Sequence, residues 1–153
     1  MRNHNTVFVD SRDVIEKYRN AQQGCSDKPK GIWYAFGDTW LKWVKDECPE
    51  IIGYYPVRYE VDITSCNVLK IDSLERLVAF TMEFQDIHSF GSNPCGVEKV
   101  DWKFVAECYD GIEINPVPGL SYGLDKGVLW LASWDFASGC IWNVDKIGLK
   151  RIE

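Results

Sequence analysis

The chain has 153 residues, 46% hydrophobic and 26% charged, with a formal net charge of −6 at pH 7. That length suits one domain with a sizeable core, and the balance is that of a folded globule rather than a disordered chain. The acidic charge argues against nucleic-acid binding, which needs a basic surface, yet leaves room for a local site for a phosphate-bearing cofactor.

No run approaches the roughly 18 apolar residues of a membrane span, so no membrane partner is expected. The start, Met1-Arg2-Asn3-His4-Asn5, is polar and no apolar signal region follows it. The expected location is therefore the cytoplasm. Six cysteines, Cys25, Cys48, Cys66, Cys95, Cys108 and Cys140, form no CxxC pair and no tight Cys/His cluster. No metal site is expected from them. Their even number fits disulfides, but free buried thiols suit an unsecreted chain of this size better. Seven Trp residues serve the core, a pocket, or both.

In chain order, residues 6–9 predict a first strand. Ser11 is placed to cap a helix carrying Val14, Ile15 and Tyr18 at helical spacing. A loop over 26–31 leads to Gly31-Ile32-Trp33-Tyr34-Ala35-Phe36-Gly37, a buried strand bounded by glycines. Asp38 or Thr39 then caps a helix with Trp40, Trp43 and Val44 on one face, and Pro49 stops it. Residues 55–63 alternate with period two, which predicts a half-buried strand whose start Pro56 puts at an edge or bulge. A turn at 64–67 leads to a strand over 68–71.

Asp72 with Glu75 three residues on has the look of a capping box, opening a helix with Leu74, Leu77, Val78, Thr81 and Phe84 inward. Residues 86–100 are loop-like. Asp101 caps a short helix with Trp102, Val105, Ala106 and Tyr109 inward, and Ile112-Glu113-Ile114 is a short strand. Residues 115–127, with two Pro and three Gly, form another loop. Strands over 128–133, 140–144 and 147–152 close the chain. This order predicts an α+β single domain over 1–153, with mostly antiparallel sheets and flanking short helices. Neither the G-x-G-x-x-G fingerprint nor a Walker loop occurs.

Around Trp134-Asp135-Phe136-Ala137-Ser138-Gly139-Cys140 a carboxylate, a hydroxyl and a glycine share one short turn at the lip of a sheet. Asp135 and Ser138 either carry chemistry there or only shape the turn. Trp33 and Tyr34 must face opposite sides of their strand. Core on both sides is one reading, and ring stacking against a flat ligand is the other. His4 and His88 have no partner at a useful spacing. Cys140 has no nearby His and reads as an inert thiol before it reads as a nucleophile.

Three segments together resemble the ADP-ribosyltransferase superfamily. Lys28-Pro29-Lys30-Gly31-Ile32-Trp33-Tyr34-Ala35 is similar to its second-strand motif. Tyr59-Glu60-Val61-Asp62-Ile63 with Asn67-Val68-Leu69-Lys70-Ile71-Asp72 is similar to its middle segment. Asp110-Gly111-Ile112-Glu113-Ile114 and Ser138-Gly139-Cys140-Ile141-Trp142-Asn143-Val144-Asp145 resemble its later strands, the second of them the last catalytic strand. The likeness spans roughly residues 28–147, and small phage and viral members, including anti-CRISPR and other anti-defence proteins, are the nearest type.

The resemblance implies split sheets around a cleft that binds NAD as substrate. The activity implied is mono-ADP-ribosyl transfer, a glycosyltransferase reaction, to a macromolecular acceptor, a protein before a nucleic acid. For a viral effector, the setting would be the host cytoplasm. Carried over by position, Trp33 or Tyr34 would flank the nicotinamide, Ser11 would meet the ribose or amide, and Arg12 would meet a phosphate or support the loop. The family places Glu at the start of the last catalytic strand, where this chain has Ser138, Gly139 and Cys140. Asp135, with Ser138 beside it, is the carboxylate nearest that role, and Glu113 is a second. The alternative is a binding or inhibitor protein on the same fold without turnover. A thiol enzyme built on Cys140 is a third reading.

Overall fold

Short extended runs, the clearest of them rich in β-branched and aromatic residues, give nine strands to the described part of the chain. The computed structural model describes residues 5–9, 14–19, 21–54, 57–85, 99–115, 130–131, 134 and 136–152. Seven strands form one sheet in the order β5 (Val68–Ile71), β7 (Gly111–Ile114), β8 (Ser138–Ile141), β3 (Ile32–Phe36), β1 (Asn5–Val9), β4 (Val57–Asp62) and β9 (Gly148–Arg151). A second, two-stranded sheet joins β2 (Cys25–Ser26) to β6 (Val100–Asp101).

Every pairing is antiparallel except β5 with β7. Those two strands are parallel because the chain between them crosses over through α3 (Leu74–Phe84) and α4 (Trp102–Cys108). The class is α+β, with mostly antiparallel strands and short flanking helices.

The other helices are α1 (Val14–Arg19) and α2 (Thr39–Glu47). Gly37, at φ +58°, turns the chain sharply from β3 into α2, a conformation that costs glycine nothing. Asp38 holds the N-cap position of α2 but makes no capping bond through its side chain. The cap of α3 falls one residue later than the capping-box pattern suggests. Ser73, not Asp72, accepts from the Arg76 N–H, while Asp72 pairs with the Arg76 guanidinium at 3.5 Å. Asp101 caps α4 as expected, accepting from the Phe104 N–H.

The central sheet is covered on both faces. On one, α3 supplies Leu77, Phe80 and Phe84 and α4 supplies Trp102 and Val105, against Ile71, Ile112 and Ile114 of the sheet and Trp130, Leu131 and Trp134. On the other, Ile32, Tyr34, Val61, Ile141 and Val144 pack together with Tyr18 of α1. Phe80, absent from the expected inner face of α3, is 4% exposed and touches Phe84, Trp102 and Trp130. Each such aromatic takes some 150–250 Å² out of water, so these rings supply much of the driving force.

Trp130 and Leu131, expected within a strand, lie in a 3-10 turn instead. The strand expected over 140–144 begins earlier, at Ser138, and ends at Ile141. The loops at 86–98 and 116–127, the Ser11 cap and both histidines lie outside the described residues. Among the described residues no helix is long and apolar enough to cross a membrane.

Candidate functional site

The two-residue period of β3 sends Trp33 and Tyr34 to opposite faces. Trp33 is half-buried and leans on the α3/α4 side; Tyr34, 2% exposed, sits in the other core. In the register of β3 with β8, Trp33 lies opposite Cys140 and Ala35 opposite Ser138. Trp33 and Ser138 therefore share a face, and Tyr34 does not.

An aromatic corner forms where the chain enters β8. The Trp33 and Trp134 rings lie 4.7 Å apart between centroids, tilted by 59°. Two residues further on, Phe136 meets Trp43 of α2 at 5.5 Å and 38°. Trp33, Trp43 and Phe136 are all half-buried, so they offer ring surface to solvent as well as to the core. The Lys28 ammonium stands 5.4 Å from the centre of the Trp33 ring, a cation–π contact that brings positive charge to the corner. Ser138, 5% exposed, donates its hydroxyl to the Phe136 carbonyl at 3.0 Å, a bond that closes the turn.

Of the residues singled out in the sequence, Trp33 and Ser138 come together at this corner and Tyr34 is turned away. Asp135, Ser11 and Arg12 lie outside the described residues; Asp135 stands in sequence between two members of the corner, Trp134 and Phe136. Trp43 and Phe136 were not among the expected site residues. Trp43 was placed by helical spacing alone, which shows an inner face but not what that face meets.

On the far face, Tyr34 donates to Glu113 Oε1 at 2.8 Å. Tyr34 and Glu113 both lie opposite Gly139, so the phenol spans β8 to reach β7. A Cβ on Gly139 would stand 2.3 Å from the Tyr34 ring, which explains the glycine. Burial, then the adjoining Glu113 carboxylate, pushes the Tyr34 phenol far above its ordinary value, so it stays a proton donor.

Asp110 is a second polar anchor. Its carboxylate accepts from the Asn67 N–H at 2.7 Å, Asn143 Nδ2 at 2.8 Å and Lys146 Nζ at 3.0 Å. Its carbonyl accepts from the N–H groups of Trp142 and Asn143. Burial pushes the carboxyl up, but these hydrogen bonds and the Lys146 charge outweigh it and hold the carboxyl below its usual range. The group ties the turn before β5 to the segment after β8, which is structural work.

Of the five described cysteines, Cys140 alone is buried. Burial pushes its thiol well above the ordinary value, which leaves no thiolate to act as nucleophile. Among the described residues no three His, Cys, Asp or Glu side chains are grouped to hold a metal ion. No family model, curated protein or solved structure matches the chain.

Proposed function

We propose that this chain is a mono-ADP-ribosyltransferase that uses NAD as substrate and modifies a macromolecular acceptor, a protein first. The observation that supports it is the aromatic corner of Trp33, Trp134, Trp43 and Phe136, with Lys28 above Trp33. Partly exposed rings beside a cation suit a ligand with a flat heterocycle and a phosphate. In this reading the bond from ribose to nicotinamide breaks, and nicotinamide leaves with the electron pair. The acceptor then bonds to the ribose carbon and loses its proton. The sugar passes through an oxocarbenium-like state, which a nearby carboxylate favours. Asp135 is the residue assigned that role, since it lies in sequence between Trp134 and Phe136. Ser11 and Arg12 stay assigned to ribose and phosphate. A viral effector acting on a host defence in the host cytoplasm is the setting that the resemblance implies.

A second reading keeps the same corner as a binding site without turnover, in an inhibitor that meets a basic partner through its acidic surface. One observation favours it: Glu113, a carboxylate held on β7 by the Tyr34 hydroxyl, lies on the Tyr34 face, away from Trp33. Incubating the protein with labelled NAD and a cell lysate separates the two. Label on macromolecules that disappears in Asp135→Ala supports the transferase. NAD bound but left intact supports the binding protein.

A further inference from the structure

Tyr34 is buried, titratable and unused by the proposed reaction. Its phenol donates to the Glu113 carboxylate on β7, two strands away, rather than to a nearby backbone carbonyl. A carbonyl would satisfy a buried phenol. A carboxylate gives a charge-assisted bond, roughly twice as strong as a neutral one and so stiffer. Tyr34 and Glu113 both lie opposite Gly139, one from β3 and the other from β7. The ring lies across the bare backbone of Gly139, so close that no Cβ fits there. The start of β8 is thus held by this ring as well as by its pairing on both sides.

The clamp lies one peptide bond from the corner at both ends. Gly139 follows Ser138, and Tyr34 follows Trp33. Ser138 closes the turn on the Phe136 carbonyl. On the opposite face from the clamp, Trp134 meets Trp33 and Phe136 meets Trp43. Any slip of Gly139 against β3 therefore shifts the turn that carries Trp134 and Phe136 relative to Trp33. Rigid support of this kind matters because a site loses rate when its groups are misplaced by about 1 Å.

We propose that Tyr34 is a positioning residue: its hydrogen bond to Glu113 clamps Gly139 and so fixes the turn entering β8 against Trp33, from the face of the sheet away from the corner. Glu113 is the anchor of the clamp and not a reacting carboxylate. This rests on the corner being the site of the proposed function, with Asp135 between Trp134 and Phe136 in sequence.

Three variants of the whole chain test it. Tyr34→Phe removes the bond and keeps the ring. Glu113→Gln keeps an acceptor for the phenol. Tyr34→Phe with Glu113→Leu removes the bond and leaves no carboxylate without its donor. Each is compared with the parent by amide hydrogen exchange of Gly139, measured against the slowest-exchanging core amides, and by nicotinamide release from NAD. For Tyr34→Phe, Gly139 exchange should be at least about tenfold faster relative to that core, and kcat at least about tenfold lower with KM within about twofold. Glu113→Gln should lie nearer the parent than Tyr34→Phe does, and the double variant should match Tyr34→Phe. Parent-like exchange and turnover in the double variant would show that the hydroxyl acts through stability alone, and would overturn the proposal. Loss in Glu113→Gln as large as in Tyr34→Phe would overturn it as well, since the charge rather than the bridge would then matter. Turnover by the parent with unchanged Gly139 exchange in Tyr34→Phe sinks this inference and leaves the transferase reading standing. Faster exchange in Tyr34→Phe, with no nicotinamide released by the parent, keeps the clamp and sinks that reading.

Discussion

Tyr34 reaches across the backbone of Gly139 to donate a 2.8 Å hydrogen bond to Glu113. Three adjacent strands, β3, β8 and β7, are thereby joined by one polar bridge. The start of β8, which also carries Ser138 and follows the aromatic turn, is held beneath it.

Removing the hydroxyl alone leaves the Glu113 carboxylate without this donor. Tyr34→Phe should lower stability by about 1–3 kcal/mol in urea unfolding. Tyr34→Phe combined with Glu113→Leu should recover most of that loss, because no half-buried charge is then left unpaired. Additive losses in the double variant would show that the bridge does not couple the two residues.

Gly139→Ala tests the packing beneath the bridge. The new Cβ would meet the Tyr34 ring and hydroxyl at 2.3–2.4 Å, so the ring must shift. The expected loss is about 1–3 kcal/mol, the usual range for overpacking. Gly24→Ala, where nothing lies within 4 Å of the added carbon, is the control and should move the unfolding midpoint little.

Local signals in the sequence were enough to place β3, β5, α4 and the alternation of Trp33 with Tyr34, because each depends on residues within one turn or one strand. They failed where the deciding contact is distant. Tyr34 and Glu113 are 79 positions apart, and nothing in either neighbourhood announces the other. Trp43 meeting Phe136 is equally invisible to helical periodicity. Ser73, one residue beyond the expected Asp72, caps α3, and Asp72 instead pairs with the Arg76 guanidinium. Ser138, expected in the turn before the strand, is drawn into β8 by pairing with both Ala35 and Ile114.

Acid should loosen the Asp110 anchor. Its carboxyl is held below the ordinary value when folded, so its contribution is complete above about pH 5 and fades as pH falls through the lowered native value. Unfolding free energy measured between about pH 6 and 2 should decline less steeply in Asp110→Asn than in the parent. Equal slopes would mean that the anchor carries no linkage.

Trp33→Leu keeps an apolar side chain at the corner but removes the flat ring and the cation–π contact with Lys28. NAD affinity by calorimetry should fall at least about tenfold, a loss of roughly 1.4 kcal/mol, while the protein stays folded by circular dichroism. Unchanged affinity in a folded variant would move the ligand site elsewhere.

The central claim, that the chain cleaves NAD at the corner around Trp33 and Phe136, is met most directly by nicotinamide release. Purified protein would be incubated with NAD beside Asp135→Ala and Trp33→Leu. The expected result is steady release by the parent protein, reduced at least a hundredfold in Asp135→Ala, consistent with the loss of a group that stabilises transition-state charge. Release that persists undiminished in Asp135→Ala, or no release and no NAD binding by the parent protein, would contradict the claim.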